Sequence, residues 1–140
     1  MSPTSRFALE RHAGPYERWP SRSRLLVDGR ATATRVAGYT LLHQYQLDDG
    51  YLLVTDHDCP FEEVTALTLL DEELRVAAER KLGWMYNTFL LTGLRWVDGR
   101  QLVASFGDDY QVLVTIRRRG IPLLRPRLKL QRLRQHAARI

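Results

Sequence analysis

Hydrophobic and polar residues alternate with period two along much of the chain from Val36 onward, the pattern of half-buried β-strands. Between Tyr39 and Leu47 every second residue is aromatic, aliphatic or histidine. Asp48-Asp49-Gly50 then supplies turn-forming residues, and Tyr51–Asp56 is apolar again. The pattern predicts an antiparallel hairpin with a three-residue loop, in which Leu47 pairs with Tyr51 and His43 lies opposite Thr55.

The clearest local pattern is a three-stranded meander. Phe89–Val97 and Arg100–Phe106 flank Asp98-Gly99, a dipeptide typical of tight hairpin turns. Tyr110–Ile116 alternates strictly after a second turn at residues 107–109. Val64–Leu70, rich in Val, Thr and Leu, predicts one more strand.

Two segments permit a helix. Residues 72–82 fit either a short helix capped by Asp71 or a strand over Leu74–Lys81, and the flanking β segments favour the strand. In the C-terminal segment, a stripe of apolar residues at helical spacing predicts a short basic helix, and this stripe consists of Leu130, Leu133, Ala137 and Ile140.

Taken together, these elements predict an all-β antiparallel fold, a sandwich or a partly open barrel. Scattered prolines and glycines predict an irregular N-terminal arm over residues 1–30. A single β domain is expected over 31–119, followed by a basic tail over 120–140.

Composition narrows the class of protein. The chain has 140 residues, of which 44% are hydrophobic and 26% charged, the balance of one globular domain with a single core. No apolar run is long enough to span a bilayer, and the N-terminus lacks the apolar core of a signal peptide. A single cysteine is consistent with a reducing compartment, so we expect a cytoplasmic protein.

The formal net charge of +5 hides a strong segregation of charge along the sequence. Residues 1–30 hold six Lys/Arg and three acids, residues 31–116 hold six and thirteen, and residues 117–140 hold nine and none. The middle of the chain is therefore acidic, whereas both ends are basic. Such a C-terminal segment can attract an anionic partner or fold back onto acidic surface.

Residues 51–63 contain the densest cluster of reactive side chains. In the predicted hairpin register, His43 and His57 share one face, and with Asp58 they would offer nitrogen and oxygen ligands to a divalent metal. The only cysteine, Cys59, follows His57 by two residues, so an imidazolium could activate its thiol. Asp58 with Glu62 or Glu63 could act as an acid–base pair. Alternatively, the stretch is a strand end and a loop whose acids cap turns.

The functional expectation is a non-enzymatic binding module for another protein or for a second copy of itself, with its basic segment on an acidic partner or surface. One alternative is a small metal- or thiol-dependent enzyme with His57, Asp58 and Cys59 as catalytic candidates. Another is association of the tail with nucleic acid or an anionic membrane. No cofactor is predicted apart from the candidate metal. The predicted anion-binding residues are Arg117, Arg118, Arg119, Arg125, Arg127, Lys129, Arg132 and Arg134.

Overall fold

The computed structural model describes residues 1–57, 64–82, 91–107, 110–118 and 126–133. These residues form antiparallel strands almost throughout, which confirms the all-β antiparallel prediction. The helical structure within these ranges is a single 3-10 turn, Tyr16–Arg18, and none of it is long and apolar enough to cross a membrane. The chain divides into two compact units, 1–88 and 89–140. The division expected from sequence, with boundaries after residues 30 and 119, stays a prediction.

The first unit contains one five-stranded and one three-stranded sheet. The five-stranded sheet has the order β1-β5-β6-β7-β8 and the three-stranded sheet the order β2-β3-β4. The strands are β1 Ser2–Pro3, β2 Phe7–Leu9, β3 Arg22–Val27, β4 Arg30–Ala37, β5 Thr40–Leu47, β6 Gly50–Asp56, β7 Thr65–Asp71 and β8 Val76–Leu82.

Three of these strands fall within residues 1–30, so the segment predicted to be an irregular arm contains regular strands, the longest of them Arg22–Val27. Prolines and glycines do interrupt it, but between them Phe7 and Leu25 are buried in the core. Residues 76–82 form a strand, as the flanking β segments favoured, and the helical alternative for 72–82 is wrong. Tertiary strand pairing outweighs local helix propensity here.

The core of the first unit lies between its two sheets. Leu53 and Leu70 of the five-stranded sheet pack against Phe7, Leu25 and Val36 of the three-stranded sheet. All five side chains are buried, and burying each one contributes roughly 1.5–3 kcal/mol. The central strand β6 is buried over four consecutive residues, which explains its continuous apolar run.

An ion pair joins the two sheets of this unit. Both Oε atoms of Glu79 accept hydrogen bonds from Arg22, at 2.7 and 3.1 Å. Glu79 Oε2 also accepts from the Ala37 backbone N–H at 3.1 Å and from the Thr68 hydroxyl at 3.0 Å. Burial alone would raise the pKa of Glu79, but these hydrogen bonds, with that from Arg22 the strongest, lower it below its usual value.

The second unit contains a four-stranded sheet of order β12-β11-β10-β9. Its strands are β9 Gly93–Asp98, β10 Gln101–Phe106, β11 Tyr110–Ile116 and β12 Leu128–Leu133. The predicted meander is therefore confirmed. The predicted C-terminal helix is wrong over 128–133, because this segment also alternates and pairs with β11. Residues 134–140, the rest of that prediction, lie outside the described residues.

The two faces of the four-stranded sheet differ in chemistry. One face is apolar, and Leu102, Val112, Val114, Ile116 and Leu128 on it are buried. The opposite face carries Gln101, Gln111, Thr115, Lys129 and Gln131 in register across the strands. Because successive residues of a strand point to opposite faces, the alternation in the sequence produces this separation.

Candidate functional site

His57, the central residue of the sequence-based site, lies at the end of β6 and turns inward. Its backbone N–H donates to the Val64 carbonyl at 3.0 Å, which extends the pairing of β6 with β7. Its Nε2 atom lies 2.9 Å from the Gly38 backbone nitrogen and 3.0 Å from the Ser21 carbonyl oxygen. The imidazole therefore connects the five-stranded sheet to the chain segments that enter β3 and leave β4.

These two contacts of Nε2 exclude each other. An unprotonated Nε2 accepts the Gly38 N–H, whereas a protonated Nε2 donates to the Ser21 carbonyl. The ring tautomer thus decides which of the two neighbouring segments Nε2 contacts. Either state uses the nitrogen for a structural contact within the protein.

The His57 ring belongs to a group of four rings that we term the aromatic cluster, consisting of His12, Trp19, Tyr39 and His57. Tyr39 lies edge-on to each of the other three rings, with centroid distances of 5.0 to 5.3 Å. His12 also contacts Trp19, at 5.2 Å. Edge-to-face contacts of this kind contribute about 0.5–1.5 kcal/mol each beyond burial. The cluster fixes the N-terminal segment against the five-stranded sheet.

A serine–histidine pair lies in the same region. The Ser23 hydroxyl donates to the Gly38 carbonyl at 2.5 Å, and its oxygen lies 2.8 Å from His12 Nε2. Because the hydroxyl proton is already committed, the pair is best described as His12 donating to Ser23. Ser23 is fully buried, so this arrangement does not present a nucleophile to a substrate.

The predicted convergence of His43 and His57 does not occur. Leu47 pairs with Gly50 rather than Tyr51, and a bulge between Leu41 and His43 shifts the register again. His43 therefore lies opposite Val54. Because Val54 comes three residues before His57, His43 lies on the opposite face of the sheet from His57. There its ring stacks on Tyr45 with the centroids 6.2 Å apart, and partial burial lowers the pKa of this otherwise exposed histidine.

The remaining members of the sequence-based site lie outside the described residues. These are Asp58, Cys59, Glu62 and Glu63, so the thiol and acid–base hypotheses stay predictions. Within the described ranges, no group of three His, Cys, Asp or Glu side chains could hold a metal ion. The divalent-metal hypothesis therefore has no support from His43 and His57 as a pair.

A second candidate site is the polar face of the four-stranded sheet, where four cations lie. Arg117 follows β11 and Arg127 precedes β12; the Arg117 N–H donates to the Arg127 carbonyl at 2.7 Å, so the two residues face each other across the strands. Lys129 lies two residues along β12 on the same face, and Arg95 of β9 lies there opposite Val103. We term Arg95, Arg117, Arg127 and Lys129, with the polar residues between them, the cationic face.

Among the other predicted anion-binding residues, the structure describes Arg118 and Arg132. Arg132 lies on the apolar side, where its guanidinium is 4.5 Å from the centre of the Tyr110 ring. Arg118 is exposed just after Arg117. Arg119, Arg125 and Arg134 lie outside the described residues. Arg95 was missed from sequence because it stands in the meander, far from the basic segment along the chain.

The two units differ in formal charge. Residues 1–88 hold ten Lys/Arg and thirteen acids, a balance of −3, whereas residues 89–140 hold eleven and three, a balance of +8. The described cations of the second unit have one acid among them, Asp98. A face with such an excess produces a positive potential that attracts anions.

Comparisons with known proteins suggest no function, so function is inferred from these sites alone. The sequence matches no protein-family model, and searches of curated proteins and of solved structures find no significant match.

Proposed function

We propose that this protein is a non-enzymatic binding module that holds an anionic partner on the cationic face of its second unit. The observation that carries the proposal is the placement of Arg117, Arg127 and Lys129 side by side at one end of the four-stranded sheet. Like charges directly opposite each other across two strands are unfavourable in the isolated protein. A bound anion between them removes that repulsion.

The polar residues of the cationic face support the same proposal. Gln101 and Gln131 lie beside the cations and Gln111 lies further along the same face, and their amide groups can both donate and accept hydrogen bonds. Gln101 contacts Thr115 and Gln111 contacts Ser105, each at 3.3 Å. A sheet face of amides, hydroxyls and guanidinium groups is suited to a polar anionic surface.

The environment of the reactive residues that the structure describes in the first unit supports a non-enzymatic role. His12, Ser23 and His57 each use their polar atoms in hydrogen bonds that join strands. Tyr39 is packed among three rings. These contacts explain the positions of the four side chains by their structural role, and no substrate is needed to explain them.

Retention on immobilised heparin tests the proposal. Replacing Arg117, Arg127 and Lys129 by Gln should cause elution at clearly lower salt. Each contact that is lost reduces the number of counterions released when the protein binds. The matched control replaces Arg11, Arg18 and Arg30 of the first unit by Gln, which changes the net charge equally at exposed positions. Circular-dichroism melting of both variants verifies folding. Equal shifts in the two triple variants would show that net charge, not this face, is responsible and would refute the proposal.

A further inference from the structure

We propose that the anionic partner is a nucleic-acid strand, contacted through its phosphates and not through its bases. This inference rests on the proposed function, since it names the partner of the cationic face. It draws on the arrangement of the four cations, on their chemical type and on what the face does not contain.

The cations form a two-dimensional array rather than a single pocket. Arg117 and Arg127 lie on adjacent strands, which are roughly 4.8 Å apart, and Lys129 lies roughly 6.7 Å further along β12. Arg95 lies on β9 at the opposite edge of the sheet, three strand spacings or roughly 14 Å away from β12. A single carboxylate or phosphate ion cannot contact all four. A polymer with regularly repeated charges can.

The type of cation favours phosphate. Three of the four are arginines, whose planar guanidinium groups match phosphate oxygens with paired hydrogen bonds. A phosphodiester between Arg117 and Arg127 would accept from both and neutralise their mutual repulsion. The glutamine amides beside the cations, those of Gln101 and Gln131, can donate to sugar and phosphate oxygens.

The composition of the face argues against base recognition and against lipid. Among its described residues, no aromatic side chain is available to stack on an unpaired base. Of its described apolar members, Val103, Leu113 and Leu133 are buried or half-buried, and Val97, two residues from Arg95, is 53% exposed. One exposed valine is too little apolar surface for insertion into a bilayer. We therefore expect binding that depends on salt and is independent of nucleotide sequence.

Fluorescence anisotropy of the full chain with labelled oligothymidylate tests this inference. The oligonucleotide should have about 20 nucleotides, longer than the roughly 4–16 that one small fold covers. Between about 50 and 200 mM salt, log affinity should fall linearly with log salt, and Arg117→Gln should reduce that slope by about 0.7. Arg30→Gln, an exposed charge change in the first unit, should leave the slope unchanged.

Three further probes separate this inference from the proposed function. Labelled polyglutamate of similar length and vesicles containing phosphatidylserine should bind more weakly than oligothymidylate, and oligonucleotides of mixed sequence should bind as tightly as oligothymidylate. If polyglutamate or vesicles bind as tightly as oligothymidylate, and if Arg117→Gln weakens that binding, the proposed function stands and the nucleic-acid inference is overturned. A tenfold preference for one base sequence would overturn recognition through phosphates. If Arg117→Gln weakens no probe, both proposals fall.

Discussion

Polar side chains have different roles in the two units. In the first unit, Glu79, Ser23 and His57 are turned inward, and their hydrogen bonds join one sheet to the other. In the second unit, Arg117 and Lys129 lie on the polar face of a sheet, beside other cations. The first set is expected to stabilise the fold, and the second to bind a partner.

The difference shows that residue type alone does not define a functional site. The histidines of the first unit have chemistry suited to catalysis, yet their hydrogen bonds and ring contacts are already made within the protein. The cations of the second unit are brought together by strand pairing, and Arg127 Nε donates to the Arg117 carbonyl at 3.1 Å. Substitutions in the two sets should therefore separate stability from binding.

The largest loss of stability is expected for Glu79→Ala. Removing the carboxylate leaves the buried Thr68 hydroxyl and Ala37 N–H without this acceptor and breaks the pairing with Arg22. We expect a decrease of about 3 kcal/mol in the free energy of unfolding, measured with urea. Glu73→Ala, at a side chain that is 70% exposed, is the control and should stay within about 0.5 kcal/mol of the wild type. A loss below about 1 kcal/mol for Glu79→Ala would contradict the role of this ion pair.

The lowered pKa of Glu79 predicts how the free energy of unfolding depends on pH. Because its pKa is lower in the folded than in the unfolded protein, Glu79 stabilises the fold at every pH above its unfolded pKa. That contribution is lost as the pH falls through the folded pKa. Urea unfolding between neutral pH and about pH 3 should show this decrease in the free energy of unfolding. In Glu79→Gln the decrease should be smaller. An unchanged pH profile in Glu79→Gln would contradict the lowered pKa.

The next largest effect is expected at Gly38. Its φ is +104°, and an added Cβ would lie 2.5 Å from Thr55 Oγ1 and 2.6 Å from Thr55 Cβ. Gly38→Ala should therefore cost about 2–3 kcal/mol through overlap and backbone strain. Gly29→Ala is the matched control, since its φ is +83° and no atom lies within 4 Å of the added carbon. Equal losses in both variants would show that backbone conformation alone, and not packing against Thr55, explains the glycine.

A smaller loss is expected for His57→Ala. The substitution removes the acceptor of the buried Gly38 N–H and one edge contact with Tyr39. Thermal or urea unfolding should report a decrease of about 1–2 kcal/mol, while affinity for oligothymidylate stays at the wild-type value. Reduced affinity with unchanged stability would instead make His57 part of a binding site and would break the division between the units.

The smallest change in stability is expected for Arg117→Gln. It relieves the repulsion from Arg127, so the free energy of unfolding should be unchanged or should increase by up to about 0.5 kcal/mol. Differential scanning calorimetry of this variant and of Arg30→Gln provides the comparison. A loss of more than about 1 kcal/mol would indicate that Arg117 has a structural role, as the residues of the first unit do.

Much of the fold is predictable from the sequence because alternation and turn residues are local signals. The meander from β9 to β11 follows from Asp98-Gly99 and from the strict period of residues 110–116. The register of the β5–β6 hairpin is not determined by local signals alone. It depends on a two-residue loop and on a bulge near Leu42, and it also requires Gly50, where an added Cβ would overlap the Leu70 carbonyl oxygen of the neighbouring strand.

The candidate sites were harder to predict because they depend on long-range pairing. His12 and Trp19 join His57 from a segment whose prolines and glycines indicated irregular structure. Their local density of aromatic and histidine residues was the one available signal. The basic segment was recognised from its charge, but Leu128 and Leu130 in it alternate with Lys129 and Gln131, which fits a strand. Only its pairing with β11 places Arg127 opposite Arg117.

The most direct test of the division between the units is a chemical-shift titration. The ¹⁵N-labelled chain would be titrated with a heparin hexasaccharide, and backbone amide signals would be followed in both units. We expect the shifts to be largest at Arg117, Arg127 and Lys129, with Gly38 and His57 unaffected. Shifts concentrated around Gly38 and His57, with none on the cationic face, would contradict the account.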